Sequence, residues 1–453
     1  MGNLLTSILS TASSMRAFAQ GLNVVQNNVA NANTPGFVKQ TQDFSANSFD
    51  LGSGLTGGVS VGPLLNSRNE FAEQSVRKQQ SASTAADQRA GDLAQVEPIF
   101  DLSSTTGISG TLGKLFDSFS QLSVAPNSNP SRQAVLDRAK AVAQAVNQSA
   151  AALTNAGSSA DTQITNTVAG INNLLGKIAK LNGEYRSHAD AGSDPSLDAD
   201  VHKTLEELSQ MVDFSATKAD DGSTTIQIGG QSTAVIGDHA YQLGADFSGT
   251  HARILNAQGA DISGQIGSGK ISALLEVRNQ TIPSYRGELN NLASGLADTV
   301  NAGLAGGLDA NGNVPTAPLF TYDATNGAAQ TLTINPLSTS DIAAASATAP
   351  GGNGNALALA DLGKSKQISG FTFVEFYGNL AGRVGRDIST AKSDQQTFGS
   401  LLTQARSFRS NSSGVSLDEE ATKLVQFQKS YQATAKLVSV LDELTTTLIG
   451  IIK

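Results

Sequence analysis

Cysteine is absent from the 453 residues, which removes disulfide staples, thiolate metal sites and thiol nucleophiles together. Tryptophan is absent as well and aromatics make up 5% of the chain, so any core is built mainly from Ala, Leu, Val and Ile. Charge is scarce: Asp, Glu, Lys and Arg are 15% of residues against about 25% in an average domain. The 30 basic residues are scattered among 39 acidic ones, giving a net charge of −9. Neutralising phosphates needs clustered Lys and Arg, so this balance argues against a nucleic-acid partner. No apolar run approaches the ~20 residues that span a bilayer, and the tail Leu448–Ile452 is far too short, so no membrane insertion is expected.

Chemistry is equally sparse. His188, His202, His239 and His251 have no metal-ligand spacing, no HExxH is present, and Gly107-Ile108-Ser109-Gly110 misses the spacing of a nucleophile elbow. Gly264 to Ile271, GQIGSGKI, resembles a phosphate-binding loop up to Lys270, but the next residue is Ile271 where magnesium needs a hydroxyl. Asp309-Ala310-Asn311-Gly312-Asn313 starts like a calcium loop and then has Val314 where the sharp turn needs glycine. Both read as turns. We expect no catalytic residue, cofactor or metal. Met1–Thr6 formally fits a myristoylation pattern, which is read as chance in a chain rich in small residues. The start carries no positive charge before Arg16, and Ser, Thr and Gly interrupt its apolar stretch, so export would proceed without a cleaved signal.

What the chain does have is two long stripes at its ends. Leu5, Ile8, Ala12, Met15, Ala19, Leu22, Gln26 and Val29 fall at alternating steps of three and four, the spacing that keeps one helix face toward a partner. Asn33-Thr34-Pro35-Gly36 ends that helix. Leu424, Phe427, Tyr431, Thr434, Val438, Leu441, Thr445, Leu448 and Ile452 repeat the pattern, with Ser416 and Glu419 placed as a capping box. Neither helix buries its stripe alone, and isolated helices of this length are marginal in water. They pair with each other, with neighbouring copies, or with both.

Between the ends the period changes. Gly58–Leu64 reads as a short strand, and Asn66–Asn182 as mostly helical with breaks at Pro98, Gly107–Gly113, Pro126–Pro130 and Gly157. Thr224–Ile228, Ala234–Ile236 and Tyr241–Leu243 are strand-like runs separated by Gly and Asp. Helix returns from Ile271 to Leu304 and from Phe371 to Phe408, with a hairpin from Leu319–Tyr322 and Thr331–Asn335 between them. The expected class is α+β, mainly α: an elongated multidomain chain with a terminal coiled coil from 1–46 and 412–453. A long helical domain with short hairpins takes 47–212 and 270–411, and a small β domain is inserted at 213–269.

Gln26 to Gln40, QNNVANANTPGFVKQ, resembles the signature of bacterial flagellar axial proteins, with Phe37 and Lys39 where Tyr and Arg are common. Its residues are Asn27, Asn28, Asn31, Asn33, Pro35, Gly36 and Phe37; the asparagines are placed to satisfy backbone groups where the first helix ends. Ser413 to Tyr431, SGVSLDEEATKLVQFQKSY, resembles the C-terminal motif of the hook-associated protein 1 family, and PSRQAVL (130–136) and NGNALALADL (353–362) are similar to other segments of it.

The resemblance implies a structural protein of the bacterial flagellum at the junction of hook and filament. It would travel unfolded through the type III export channel, with a chaperone at its C-terminal region, and form a ring between hook protein and hook-associated protein 3. Localisation would be extracellular after a cytoplasmic stage. Lack of cysteine suits threading, and terminal stripes that order when neighbours arrive would couple folding to assembly. Assembly contacts are expected at Leu5, Ile8, Met15, Leu22 and Val29 against Leu424, Phe427, Tyr431, Val438, Leu441 and Leu448. Chaperone contact is expected at Val425, Phe427, Tyr431 and Leu437. The chain is shorter than well-known members, with the difference expected in its outer domains. The alternatives are a hook or rod subunit, against which the long helical region argues, and a secreted enzyme or adhesin, for which no acid–base constellation exists.

Overall fold

Eleven helices account for most of the described chain, and the sheets between them are small and antiparallel, a mainly-α α+β fold. The computed structural model describes residues 2–50, 55–101, 107–187 and 194–452. The helices are α1 (Gly2–Ala30), α2 (Glu70–Val96), α3 (Ile108–Val124), α4 (Asn129–Ser187), α5 (Pro195–Met211), α6 (Lys270–Glu276), α7 (Ile282–Ala305), α8 (Ala328–Thr331), α9 (Gly354–Asp361), α10 (Phe373–Ser413) and α11 (Leu417–Ile452). Strands β1 (Gln40–Ala46), β2 (Phe49–Asp50), β3 (Leu55–Thr56) and β4 (Val59–Asn66) make one long hairpin, β1 on β4 and β2 on β3. Strands β5 (Phe214–Lys218), β6 (Thr224–Ile228), β7 (Ser232–Ile236) and β8 (His239–Ala240) form a meander, followed by the ladder of β9 (Gly244–Asp246) with β10 (Arg253–Leu255). Phe320–Thr321 pairs with Thr333–Ile334 as the expected hairpin.

Helix α4 is the longest element, 59 residues and so roughly 90 Å. It runs straight through Gly157, where a break was expected. A Cβ there would meet nothing closer than Arg278 Cδ at 4.0 Å, so this glycine marks no close approach. The proline breaks do act: Pro98 sits in a 3₁₀ turn (Glu97–Phe100), and the 125–128 turn separates α3 from α4. Between α6 and α7 the path widens into a π turn, Val277–Thr281, just before Pro283, which has no N–H to donate and whose ring crowds the preceding turn.

Two cores lie along α4. Its first half (Val135, Val142, Val146, Leu153) packs with α3, α7, α9 and the start of α10. Its second half (Ile164, Ile171, Leu175, Ile178) packs with α5, α6 and the β5–β10 region through Ile226, Ile228, Val235 and Ile254. The 213–269 segment therefore has no core of its own; it shares one with α4 and α5. Helix asparagines complete its edges as stand-ins for a peptide group. Asn182 accepts from Thr224 N–H (2.7 Å) and donates to Thr224 C=O (2.9 Å); Asn172 does the same to Leu243 (2.8 and 2.9 Å). Tyr241–Leu243, expected as a strand, is irregular because Asn172 takes the Leu243 backbone groups.

Below the two cores a neck forms where α2, α5 and α10 run side by side. Its buried apolar cluster is Val76, Leu402 and Ala405, with Phe71 and Phe408 edge to face between α2 and α10. Beyond the neck lie α1, the β1–β4 hairpin and α11.

Candidate assembly interface

Helices α1 and α11 pack antiparallel. Asn28 of α1 meets Glu420 at the start of α11, and seven residues back Gly21 meets Phe427, seven residues on. The Gly21 position is a socket: a Cβ there would lie 3.1 Å from Phe427 Cζ and 3.1 Å from Phe44 Cζ. Phe18, Phe44 and Phe427 form a tilted aromatic chain with centroids 6.5 and 5.7 Å apart, joining α1, β1 and α11. Where β3 gives way to β4 the hairpin is tied to α1 by Ser10 Oγ donating to Gly57 C=O (2.6 Å) and Val59 N–H donating to Ser14 Oγ (3.0 Å).

On α11 the stripe read from sequence faces α1: Leu424, Phe427, Tyr431, Val438 and Leu441 are half-buried and Thr434 is buried, while Leu448 is exposed. The side chain of Ile452, like His188, lies outside the described residues. On α1 the buried face is displaced by one residue, to Ser14, Ala17, Gly21, Val25 and Asn28. Ile8, Met15 and Leu22 flank it half-buried, and Leu5 (61%) and Val29 (42%) are exposed. The physical reason is that α1 is covered from two sides, by α11 and by the hairpin. Small residues at the centre let all three backbones approach, and the larger ones are displaced to the rim.

Below the aromatic chain sits a buried polar node. Asn28 accepts from Gln40 N–H (2.9 Å), donates to Gln40 C=O (2.8 Å) and donates to Glu420 Oε2 (2.8 Å); Asn28, Gln40 and Glu420 are 1%, 4% and 0% exposed. A polar residue in such a seam fixes register, because any slip leaves its partners unsatisfied. Asn31 bonds back to Asn27, Thr34 bonds Asn31, and Asn33 and Pro35 are exposed at the tip of the turn, with Phe37 half-buried behind it. Only Asn28 of the four asparagines reaches across to another element among the bonds described. Ser416 Oγ accepts from Glu419 N–H (3.4 Å), half of the expected capping box; the Glu419 carboxylate instead takes Lys39 Nζ at 2.6 Å. That bond raises the Lys39 pKa and lowers that of Glu419.

The neck carries a charge lattice that sequence reasoning missed. Arg68, its side chain 2% exposed, donates to Asp198 Oδ2 (2.9 and 2.6 Å), Glu73 Oε1 (2.6 Å) and Gly36 C=O (2.7 Å). Arg409 joins Glu73 (3.0 Å) to Glu206 (2.7 Å), and Arg406 joins Glu206 (3.2 Å) to Gln80 (2.7 Å). His202 is buried among these groups, 3.5 Å from Arg77, 3.6 Å from Glu70 and 3.8 Å from Asp198. Burial first, then Arg68 and Arg77, hold its pKa well below 6.5.

The two near-miss loops have structural explanations. Gly269 (φ +85°) crosses the end of α5 with its Cβ position 2.6 Å from Val212 N, and Asp213 Oδ2 accepts from the Gly267 amide (3.2 Å) that would face a phosphate. Asp309 Oδ1 accepts from the amides of Asn311 and Asn313 (2.8 Å each), closing its own turn. His239 meets Tyr241 edge to face and His251 is exposed. Among the described residues no group of three or more His, Cys, Asp or Glu is arranged for a metal, and no helix is long and apolar enough to cross a membrane.

Comparison with known proteins agrees with this architecture. Residues 93–320 match the flagellar hook-associated protein FlgK helical domain, 406–451 the flagellar basal body rod FlgEFG protein C-terminal model, and 8–37 the flagella basal body rod protein model. The flagellar hook-associated protein 1 of Bacillus subtilis is 25% identical over 480 residues, covering 95% of this chain and 94% of that one. The protein of the same name from Salmonella typhimurium is 24% identical over 553 residues, covering 99% and 100%. That alignment is longer than this chain's 453 residues, so this chain is the shorter of the two. The solved structure of the flagellar hook junction protein FlgK from Burkholderia pseudomallei shares the fold, with a TM-score of 0.67 at 16% identity over 74% of this chain and 99% of that one. With half of its length matched by the helical-domain model and rod-type segments at both ends, the chain belongs to the flagellar hook-associated protein FlgK family, structural proteins of the flagellum.

Proposed function

We propose that the chain is a non-catalytic wall element of the hook–filament junction, held in a ring in the flagellar axis through its terminal helices. The observation that carries this reading is the outer face of the α1–α11 pair. Leu437, Val440, Leu444 and Leu448 form a second stripe at steps of three, four and four, exposed at 42–58%, and Leu5 and Leu9 are exposed by 61% and 62%. Such a stripe is unfavourable in water at about 25 cal/mol per Å² of apolar surface, and neighbouring copies relieve that cost. Leu5, Val29 and Leu448 then serve as contacts between copies, and Ile8, Met15, Leu22, Leu424, Phe427, Tyr431, Val438 and Leu441 as contacts within one copy.

Hook protein lies on one side of the ring and hook-associated protein 3 on the other. The chain reaches that place unfolded through the flagellar export apparatus, to which the absence of cysteine is suited. Before the terminal helices pair, Val425, Phe427, Tyr431 and Leu437 form the export chaperone's contact. Truncation after Ser416 tests the reading. Cells producing the truncated chain should build hooks without filaments while the purified product keeps the helical body folded by circular dichroism. Filaments on cells with the truncated chain would overturn it.

A further inference from the structure

Two chain crossings connect the terminal region to the body, 66–70 and 413–417, and the 31–39 turn between α1 and β1 lies against both. Two backbone bonds and one to a side chain stitch these segments together, Lys39 N–H to Ser413 C=O (3.0 Å), Ser67 N–H to Lys39 C=O (2.9 Å) and Asn69 N–H to Ser413 Oγ (3.0 Å). None of these bonds reaches α5. The turn does so at Gly36, which has φ +83° and a Cβ position 2.5 Å from Ala199 C=O, so neither the backbone conformation nor the space admits a side chain. The carbonyl of that same Gly36 accepts from Arg68, whose guanidinium is shared with Asp198 of α5 and Glu73 of α2, and Glu73 passes the link to Arg409 of α10.

We infer that Arg68 is the positioning residue of a joint: it pins the Gly36 turn onto α5 and so sets the direction in which the terminal pair leaves the body. The buried apolar cluster at the neck is small, Val76, Leu402 and Ala405, and apolar contacts are non-directional, so they do not by themselves define one orientation. A planar fork with four of its five donors engaged on three elements permits one arrangement. A subunit that joins a ring through its termini needs that direction fixed, and this consequence rests on the assembly role proposed above.

The absence of cysteine makes the test clean. Spin labels at Asn33→Cys and Asp200→Cys, both exposed positions, report the distance from turn to α5 in the full-length chain. The native joint gives one narrow distance. Arg68→Lys keeps the charge as a single point that cannot span three acceptors, and Arg68→Met removes it; both should broaden the distribution with helix content retained in the lysine variant. Gly36→Ala should shift the mean with Arg68 intact. A native-width distribution in both Arg68 variants overturns the joint. A broadened distribution in a chain that still builds filaments at native number overturns its part in assembly, and leaves the role of the terminal helices to the truncation after Ser416.

Discussion

Gly21 is the socket in which α1 receives the rings of Phe427 and Phe44, and a side chain placed there tests the packing of the terminal pair directly. Alanine there gains about 1 kcal/mol of helix propensity. Its Cβ would sit 3.1 Å from two ring atoms, each at the far end of a rotatable side chain, so the rings yield by a few tenths of an ångström. Mild overpacking costs about 1–3 kcal/mol, and the net change for alanine is roughly a 1 kcal/mol loss. Leucine cannot be absorbed in this way and must displace the ring of Phe427 or Phe44. An aromatic side chain buries about 150–250 Å², and at ~25 cal/mol per Å² a half-buried Phe427 loses about 2 kcal/mol on displacement. That corresponds to roughly 30-fold in the local opening equilibrium of α11. Hydrogen exchange of peptides from 417–452 in the full-length chain reads this directly. Gly21→Leu should exchange about 30-fold faster than native, Gly21→Ala only a few-fold faster, and peptides from α4 should be unaffected. Equal protection of α11 in the leucine variant would refute the socket.

Other consequences are equally direct. Asn28→Leu leaves both backbone groups of Gln40 and a buried Glu420 oxygen without their partner, and should lower stability of the terminal pair by about 2–4 kcal/mol, read by protease cleavage within α11. His202 is held neutral in the folded chain, so as pH falls below about 6.5 the unfolded chain takes up a proton that the folded one refuses. Stability should be lost on acidification by up to about 1.4 kcal/mol per pH unit, and His202→Gln should flatten that part of the profile of melting temperature against pH. Gly157→Ala, whose Cβ would come no closer to a neighbour than Arg278 Cδ at 4.0 Å, should raise the melting temperature through about 1 kcal/mol of helix propensity. Gly269→Ala, at φ +85° and against the Val212 backbone, should lower it by the equivalent of about 2 kcal/mol or more, and a reversed order of the two melting temperatures would contradict the packing account.

The sequence made the long helices legible wherever large apolar residues recur, as in α11 and α10, and strand β6 where β-branched residues alternate. It misled at α1, because the buried residues there are Ser14, Ala17, Gly21, Val25 and Asn28, most of them small or polar and carrying little apolar signal next to Leu5, Leu22 and Val29. The bidentate asparagines were half visible: Asn27, Asn28, Asn31 and Asn33 stood out as a cluster, but only the fold selects Asn28 to bridge Gln40 and Glu420. Asn172 and Asn182 looked like ordinary polar positions on a helix. The neck lattice was hidden because Arg68, Asp198 and Arg409 are far apart in the chain and come together only when α2, α5 and α10 do. For the same reason the β5–β10 segment read as a separate domain: its strands were visible, its shared core with α4 was not.

Electron microscopy of cells lacking this chain, with flagellin assayed in the medium, tests the central claim most directly. The account predicts complete hooks without filaments, with flagellin shed into the medium and filaments restored by the full-length chain. Normal filaments in the deleted cells would contradict it, as would the absence of hooks.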